Sequence, residues 1–184
     1  MVKRSTVKTL FLIMLSFTLS GTLFGQATFN WSGSGDGTDW TDASNWSYQS
    51  GSDANSNGYP DGGDHAVFAG GTAPSGNITG VPTSARVGDF TINGASYTIT
   101  MGSEIRIDGN MSIVTGGLTM NGNRMIVFGN YSQTGGTVSM GTSTGHRFYG
   151  SFSQTGGSFN ANSSRIQMRS SMTIGGTANF IDGF

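Results

Sequence analysis

The residue types best suited to binding chemistry are concentrated in one stretch, DANSNGYPDGGD, running from Asp53 to Asp64. Asp53, Asn55, Asn57, the carbonyl of Tyr59, Asp61 and Asp64 fall at positions 1, 3, 5, 7, 9 and 12 of an EF-hand-type loop, and Gly58 stands at position 6, where the chain must turn sharply. Three carboxylates mixed with neutral amide oxygens suit a hard cation, so calcium is the expected occupant, at the weak extracellular end of its affinity range. A polar turn is the rival reading, because Asn, Asp and Gly dominate turns whether or not a metal binds.

Two further sets invite a ligand. Arg106, Arg124, Arg147 and Arg165 each precede a Gly-Gly pair by nine to eleven residues, which predicts a column of guanidinium groups on one face. Such a column reads either as a site for an acidic polysaccharide or as an exposed charged row that discourages association; like charges about 5 Å apart repel unless acids such as Glu104 and Asp108 intervene. Trp31, Trp40 and Trp46 read either as a platform for stacking sugars or as a hydrophobic cap, each ring burying roughly 150–250 Å². Their spacing resembles turn-separated anchors more than one exposed face, which favours the cap.

Catalytic signatures are sparse. His65 and His146 have no cysteine, histidine or paired glutamate at metal-ligand spacing. Glu104 is the only glutamate, and nothing singles out a pair of carboxyl groups for glycoside hydrolysis. A polysaccharide lyase would have to recruit an arginine as its base, because no lysine follows Lys8. A non-enzymatic role is therefore expected. Nucleic acid is excluded as a partner by the same shortage of basic residues.

The elements that must carry these residues begin after an export signal. Lys3, Arg4 and Lys8 precede an apolar run from Leu10 to Leu19, too short for a membrane span of roughly 20 residues. Gly25 and Ala27 offer a small-x-small cleavage site, so residues 1–27 read as a signal peptide cut after Ala27, with a cut after Gly25 as the alternative. The whole chain holds 9 basic and 10 acidic residues; without the signal the count is 6 against 10. With no cysteine, neither disulfides nor a lipoprotein anchor is available. The mature chain is expected to be secreted or held at the cell surface, with no transmembrane segment.

Glycine accounts for 31 of 184 residues and charged residues for 10%, a composition that would suit disorder were it not for a repeat. GNMSIVTGGLTM, GNYSQTGGTVSM and GSFSQTGGSFNA start at Gly109, Gly129 and Gly150, and SMTIGGTANF follows from Ser171. Leu118/Met120, Val138/Met140, Phe159/Ala161 and Ala178/Phe180 alternate with polar residues, the period of a strand with one face inward. Met111, Tyr131, Phe152 and Met172 occupy equivalent places before the glycines. Further strands are predicted at 105–107, 124–128, 147–149 and 165–168. A unit of about twenty residues cannot bury its apolar face alone, but stacked copies can. The expected fold is all-β: a right-handed parallel β-helix over residues 85–184, preceded by a Trp-rich capping segment over 28–84. The strand-like ANFIDGF ending at Phe184 suggests a solenoid cut short at its C-terminal edge.

Residues 28–84 read FNWSGSGDGTDWTDASNW and then YPDGGDHAVF, with Trp31, Gly33, Trp40, Asn45, Trp46, Pro60, Gly63, Asp64 and Ala66-Val67-Phe68 at the recurring positions. This pattern, with the coil phrases after it, resembles bacterial autotransporter-like or Bacteroidetes-type secreted β-solenoid repeat proteins. The resemblance covers most of residues 29–180. It implies a secreted or surface scaffold and is nearly silent on activity. The Asp53–Asp64 loop is similar to the calcium loops of dockerins and thrombospondin type 3 repeats. The combined expectation is a structural or adhesive scaffold contacting surface glycans or other surface proteins, with a carbohydrate-binding module as the alternative and a lyase or hydrolase behind it.

Overall fold

The computed structural model describes residues 26–82, 86–142 and 145–179. Three parallel stacks of short strands wind into a β-solenoid. The first has eight strands, the second five and the third four. Each complete coil contributes one strand to each stack. The coil containing Met111–Ile113, Gly117–Thr119 and Met125–Val127 is followed by Tyr131–Gln133, Thr137–Ser139 and His146–Phe148, and then by Phe152–Gln154, Ser158–Asn160 and Ile166–Met168. The neighbours pair in parallel without slippage: Met111 lies beside Tyr131, Tyr131 beside Phe152 and Phe152 beside Met172. The apolar columns expected from the repeat are present. Ile99, Leu118, Val138 and Phe159 line the second stack, with Met101, Met120, Met140 and Ala161 two residues on. Phe180 lies outside the described residues.

Glycine serves the stack at two kinds of corner. Gly116, Gly136 and Gly157 have φ of +80°, +62° and +67°, the left-handed region that a side chain disfavours. Because Thr137 pairs with Gly117 on one side and with Ser158 on the other, the three preceding glycines share one register position, and Gly117 is a strand residue rather than half of a turn. At the opposite corner the constraint is space: a Cβ on Gly129 would collide with the carbonyl of Gly109, and one on Gly150 with that of Gly129.

The interior is not purely apolar. Gln133 and Gln154 replace isoleucine in the column that begins with Phe68, Ile92 and Ile113, and both are fully buried. Gln133 Nε2 donates to the carbonyls of Gly135 and Ser158, and Gln133 Oε1 accepts from the Tyr131 hydroxyl. Gln154 Nε2 reaches the carbonyls of Gly157 and Thr177. The phrase QTGG thus encodes a side chain that satisfies its own turn and the next coil. In the third stack the predicted strand 147–149 is offset by one residue. His146 and Phe148 point inward and Arg147 outward, so the element is His146–Phe148.

The stack does not start at residue 85. His65–Phe68 pairs in parallel with Phe90–Ile92 on one side and with Thr28–Trp31 on the other. Bridges from Ile78 to Met101 and from Val87 to Ile107 extend the other two stacks. The Trp-rich segment therefore supplies the first coil as well as its cover. Direction reverses only at Trp46–Ser50, which pairs antiparallel with Thr28–Trp31 and closes that edge with an exposed, polar strand. At the opposite end Met172 and Ile174 are exposed, although their columns are interior in every earlier coil. Among the described residues no helix is long and apolar enough to cross a membrane.

His146 sits in an interior column with Nδ1 accepting the Met125 N–H, while Nε2 faces Ser164 Oγ at 3.3 Å. Burial pushes its pKa down to about 4. The unfolded chain takes up a proton below the ordinary value near 6.5 and the folded chain does not until about 4, so stability falls as pH is lowered through that window, by on the order of 3 kcal/mol. Urea melts between pH 7 and 4 should show this loss. The His146→Gln variant should flatten the slope between pH 6.5 and 5; an unchanged slope there would assign it to another group.

Candidate functional site

The three tryptophans converge on one cluster. Trp31 stacks on Phe68 at 5.5 Å and meets Trp46 edge-on at 5.1 Å, and Trp40 meets Trp46 at 4.7 Å. Phe68 continues into Phe90 of the next coil. Trp31, Trp40 and Trp46 are 2%, 0% and 6% exposed, so no ring face is open to a sugar and the stacking-platform reading falls. Trp40 Nε1 donates to the Pro60 carbonyl and Trp46 Nε1 to the Trp40 carbonyl, which lets both indoles sit in a dry environment. Pro60 owes its place in the pattern to that carbonyl.

Asn45 organises the loop over the cluster. It is fully buried at the end of the 3-10 turn Ala43–Asn45. Its Oδ1 accepts the N–H groups of Gly35 and Gly37, and its Nδ2 donates to Asp36 Oδ1 and to the Asp39 carbonyl. Asp36 also accepts from the backbone N–H groups of Thr38 and Asp39, and these bonds, Asp39 foremost, draw its pKa down to about 2. The sequence marked Asn45 only as a recurring position; its four partners lie in a loop with no secondary-structure signal. Replacing it with leucine strands the buried N–H of Gly37 and the part-buried N–H of Gly35, at about 1–3 kcal/mol for a buried group, and removes both bonds made by its amide nitrogen. Asn45→Leu should lower the unfolding free energy in denaturant titration by roughly 3 kcal/mol. A loss under about 1 kcal/mol would mean water substitutes for the amide.

The six residues of the expected calcium loop lie together, but their oxygens are already committed. Asp53 accepts from the N–H groups of Ser56 and Gly58. Asp61 accepts from the side-chain amides of Asn55 and Asn57, which present nitrogen to it rather than oxygen to a cation. Asn57 Oδ1 accepts the N–H of Tyr59. Asp64, the twelfth position, turns inward to accept the N–H of Ala27, and burial, helped by the charges of Asp53 and Asp61, raises its pKa. Among the described residues no three acidic or histidine side chains gather as a metal site. The arrangement is a loop closed on itself, and it does not fit a calcium cage. Millimolar calcium should leave the melting temperature unchanged, whereas a rise of several degrees would restore the calcium reading.

The arginines form two columns rather than one. Ile105 pairs with Met125, so Glu104 lies beside Arg124 at the position occupied two coils on by Arg165; Arg106, Ile126, Arg147 and Gln167 form the adjacent column. Glu104 relieves the repulsion at one end. It accepts from Arg106 Nε at 2.6 Å and from Arg124 Nε at 2.7 Å, and these bonds, Arg124 foremost, lower its pKa. Arg86 pairs with Asp108 at 3.0 Å and lies over the Phe128 ring, which stacks on Tyr149 at 4.8 Å; Arg169 covers the far side of Tyr149. His65 repeats the role of His146, its Nδ1 accepting the Asp89 N–H across coils.

No protein family matches this chain, and neither a curated protein nor a solved structure does. What remains of the resemblance to secreted repeat proteins is the β-solenoid itself.

Proposed function

We propose that this protein is an exported, non-catalytic β-solenoid scaffold that presents its outer faces at the cell surface. One observation carries the scaffold reading: the interior is filled without a break from the tryptophan cluster through Phe68, Ile92, Ile113, Gln133 and Gln154, so the coils behave as one rod. The loops over the capped end are closed by their own hydrogen bonds, which also suits a structural part. An adhesive role follows from such a rod wherever an outer face meets a partner.

Export is supported by the basic and apolar start of the chain, residues 1–25, which lie outside the described residues. The cut after Ala27 is disfavoured. Ala27 is fully buried, its N–H donates to Asp64 Oδ1 at 2.8 Å, and its carbonyl accepts the His65 N–H. Gln26 bridges to Ser52. Cleavage after Gly25 keeps these contacts and avoids leaving the inward-facing Asp64 carboxylate without its donor. Expression of the full chain in a bacterial host, followed by fractionation and mass mapping of the N-terminus, should find an exported species beginning at Gln26. A start at Thr28 would overturn the position, and a cytosolic chain retaining the signal would overturn export.

A further inference from the structure

We propose that Arg147 and Arg165 form a binding site for a carboxylate of an acidic polysaccharide, a uronate chain, on the outer face of the third stack. The argument starts from the internal triad. Glu104 and Arg106 come from one coil and Arg124 from the next, and the carboxylate is gripped by both Nε groups. Register places the same three positions two coils further on at Gly145, Arg147 and Arg165. Both arginines are repeated and the acid is replaced by glycine. The Nε of Arg147, counterpart of the Arg106 nitrogen that holds Glu104, is buried and has no hydrogen-bond partner. Arg165 is exposed and forms no ion pair among the described residues. The site is a carboxylate grip from which the internal carboxylate has been removed.

The surroundings select for an external acid. From Gly109 to Ile181 the chain has Arg124, Arg147, Arg165 and Arg169 and no aspartate or glutamate at all. The six aspartates between Gln26 and Pro82 are no substitute. Each accepts hydrogen bonds from nearby backbone or side-chain groups: Asp36, Asp39, Asp42, Asp53 and Asp61 within their own loops, and Asp64 from Ala27. Arg147 and Arg165 come from neighbouring coils about 5 Å apart, so their positive charges reinforce one another at one place on the outer face. The aromatic rings nearby have their faces covered by each other and by Arg86 and Arg169, and so offer no pocket for a peptide side chain or lipid.

The glycine also supplies the test. Gly145 does not have positive φ, and a Cβ there would meet only Arg124 Cδ at 3.9 Å, so a side chain fits. Binding of the full chain to an oligogalacturonate of defined length is measured by calorimetry at low salt, with dextran and poly-glutamate in parallel. Arg147→Ala and Arg165→Ala are each expected to weaken oligogalacturonate binding at least tenfold, and Arg106→Ala less than twofold. Gly145→Glu, which supplies the missing carboxylate from within, is expected to abolish binding with an unchanged or higher melting temperature. Should that variant not fold, the three arginine variants decide the matter. No binding by the wild type, binding that survives in a folded Gly145→Glu, or equal losses from Arg106→Ala and Arg147→Ala would overturn the site. Binding of poly-glutamate as tight as that of oligogalacturonate would overturn the polysaccharide assignment.

Discussion

Every feature of this protein answers to the parallel hydrogen bonding between successive coils. It sets neighbouring strands about 5 Å apart and holds equivalent residues in line. A residue is therefore surrounded mainly by its own counterparts, and a type is tolerated only if it can stand on a copy of itself or on a chosen partner. Phe152 stacks on Tyr131 at 4.4 Å with ring planes 9° apart, the favourable outcome of that rule for aromatics. Gly129 between Gly109 and Gly150 is its outcome where backbones come too close for any side chain.

Polar groups meet the same constraint in different ways. Inside, an unpaired polar group is costly, so the amide nitrogens of Gln133 and Gln154 and the His146 ring turn to the backbone of their own or an adjoining coil. Outside, stacked arginines would repel, and the relief is uneven along the rod. Glu104 and Asp108 pair with Arg106, Arg124 and Arg86, while from Gly109 to Ile181 no acid accompanies Arg147, Arg165 and Arg169. The resulting polarity, acidic at the capped end and basic towards the other, is a property of the assembled stack.

The cap solves the problem of the first edge. A solenoid must end its hydrogen-bond ladders somewhere, and an open edge invites pairing with another chain. Here Trp46–Ser50 runs antiparallel across the end, Trp31, Trp40 and Trp46 fill the space over Phe68, and Asn45 ties down the loop above. Asp64 anchors the chain start at Ala27, so the residue that suggests a metal ligand in the sequence is a structural acceptor in the fold.

The repeat itself was legible in the sequence, because period-two alternation and recurring glycines are local and because equivalent residues must recur where coils stack. The columns through Leu118, Val138 and Phe159 and the covering role of the tryptophans follow from that alone. Register between coils was not legible to the residue. Coils of 20 and 21 residues alternate, so counting back from each Gly-Gly pair merged two arginine columns into one, and the strand predicted at 147–149 lay one residue beyond His146–Phe148. The partners of Asn45, Asp61 and Asp64 were hidden for another reason: a loop's composition names its polar atoms but not which of them meet. Sequence by itself determined that the chain stacks, where it turns and which faces are apolar, since those depend on each residue's own shape and polarity. Tertiary structure decided where the stack begins, which oxygens are already taken and which arginines lack an acid, since those depend on distances between residues twenty or more apart in the chain.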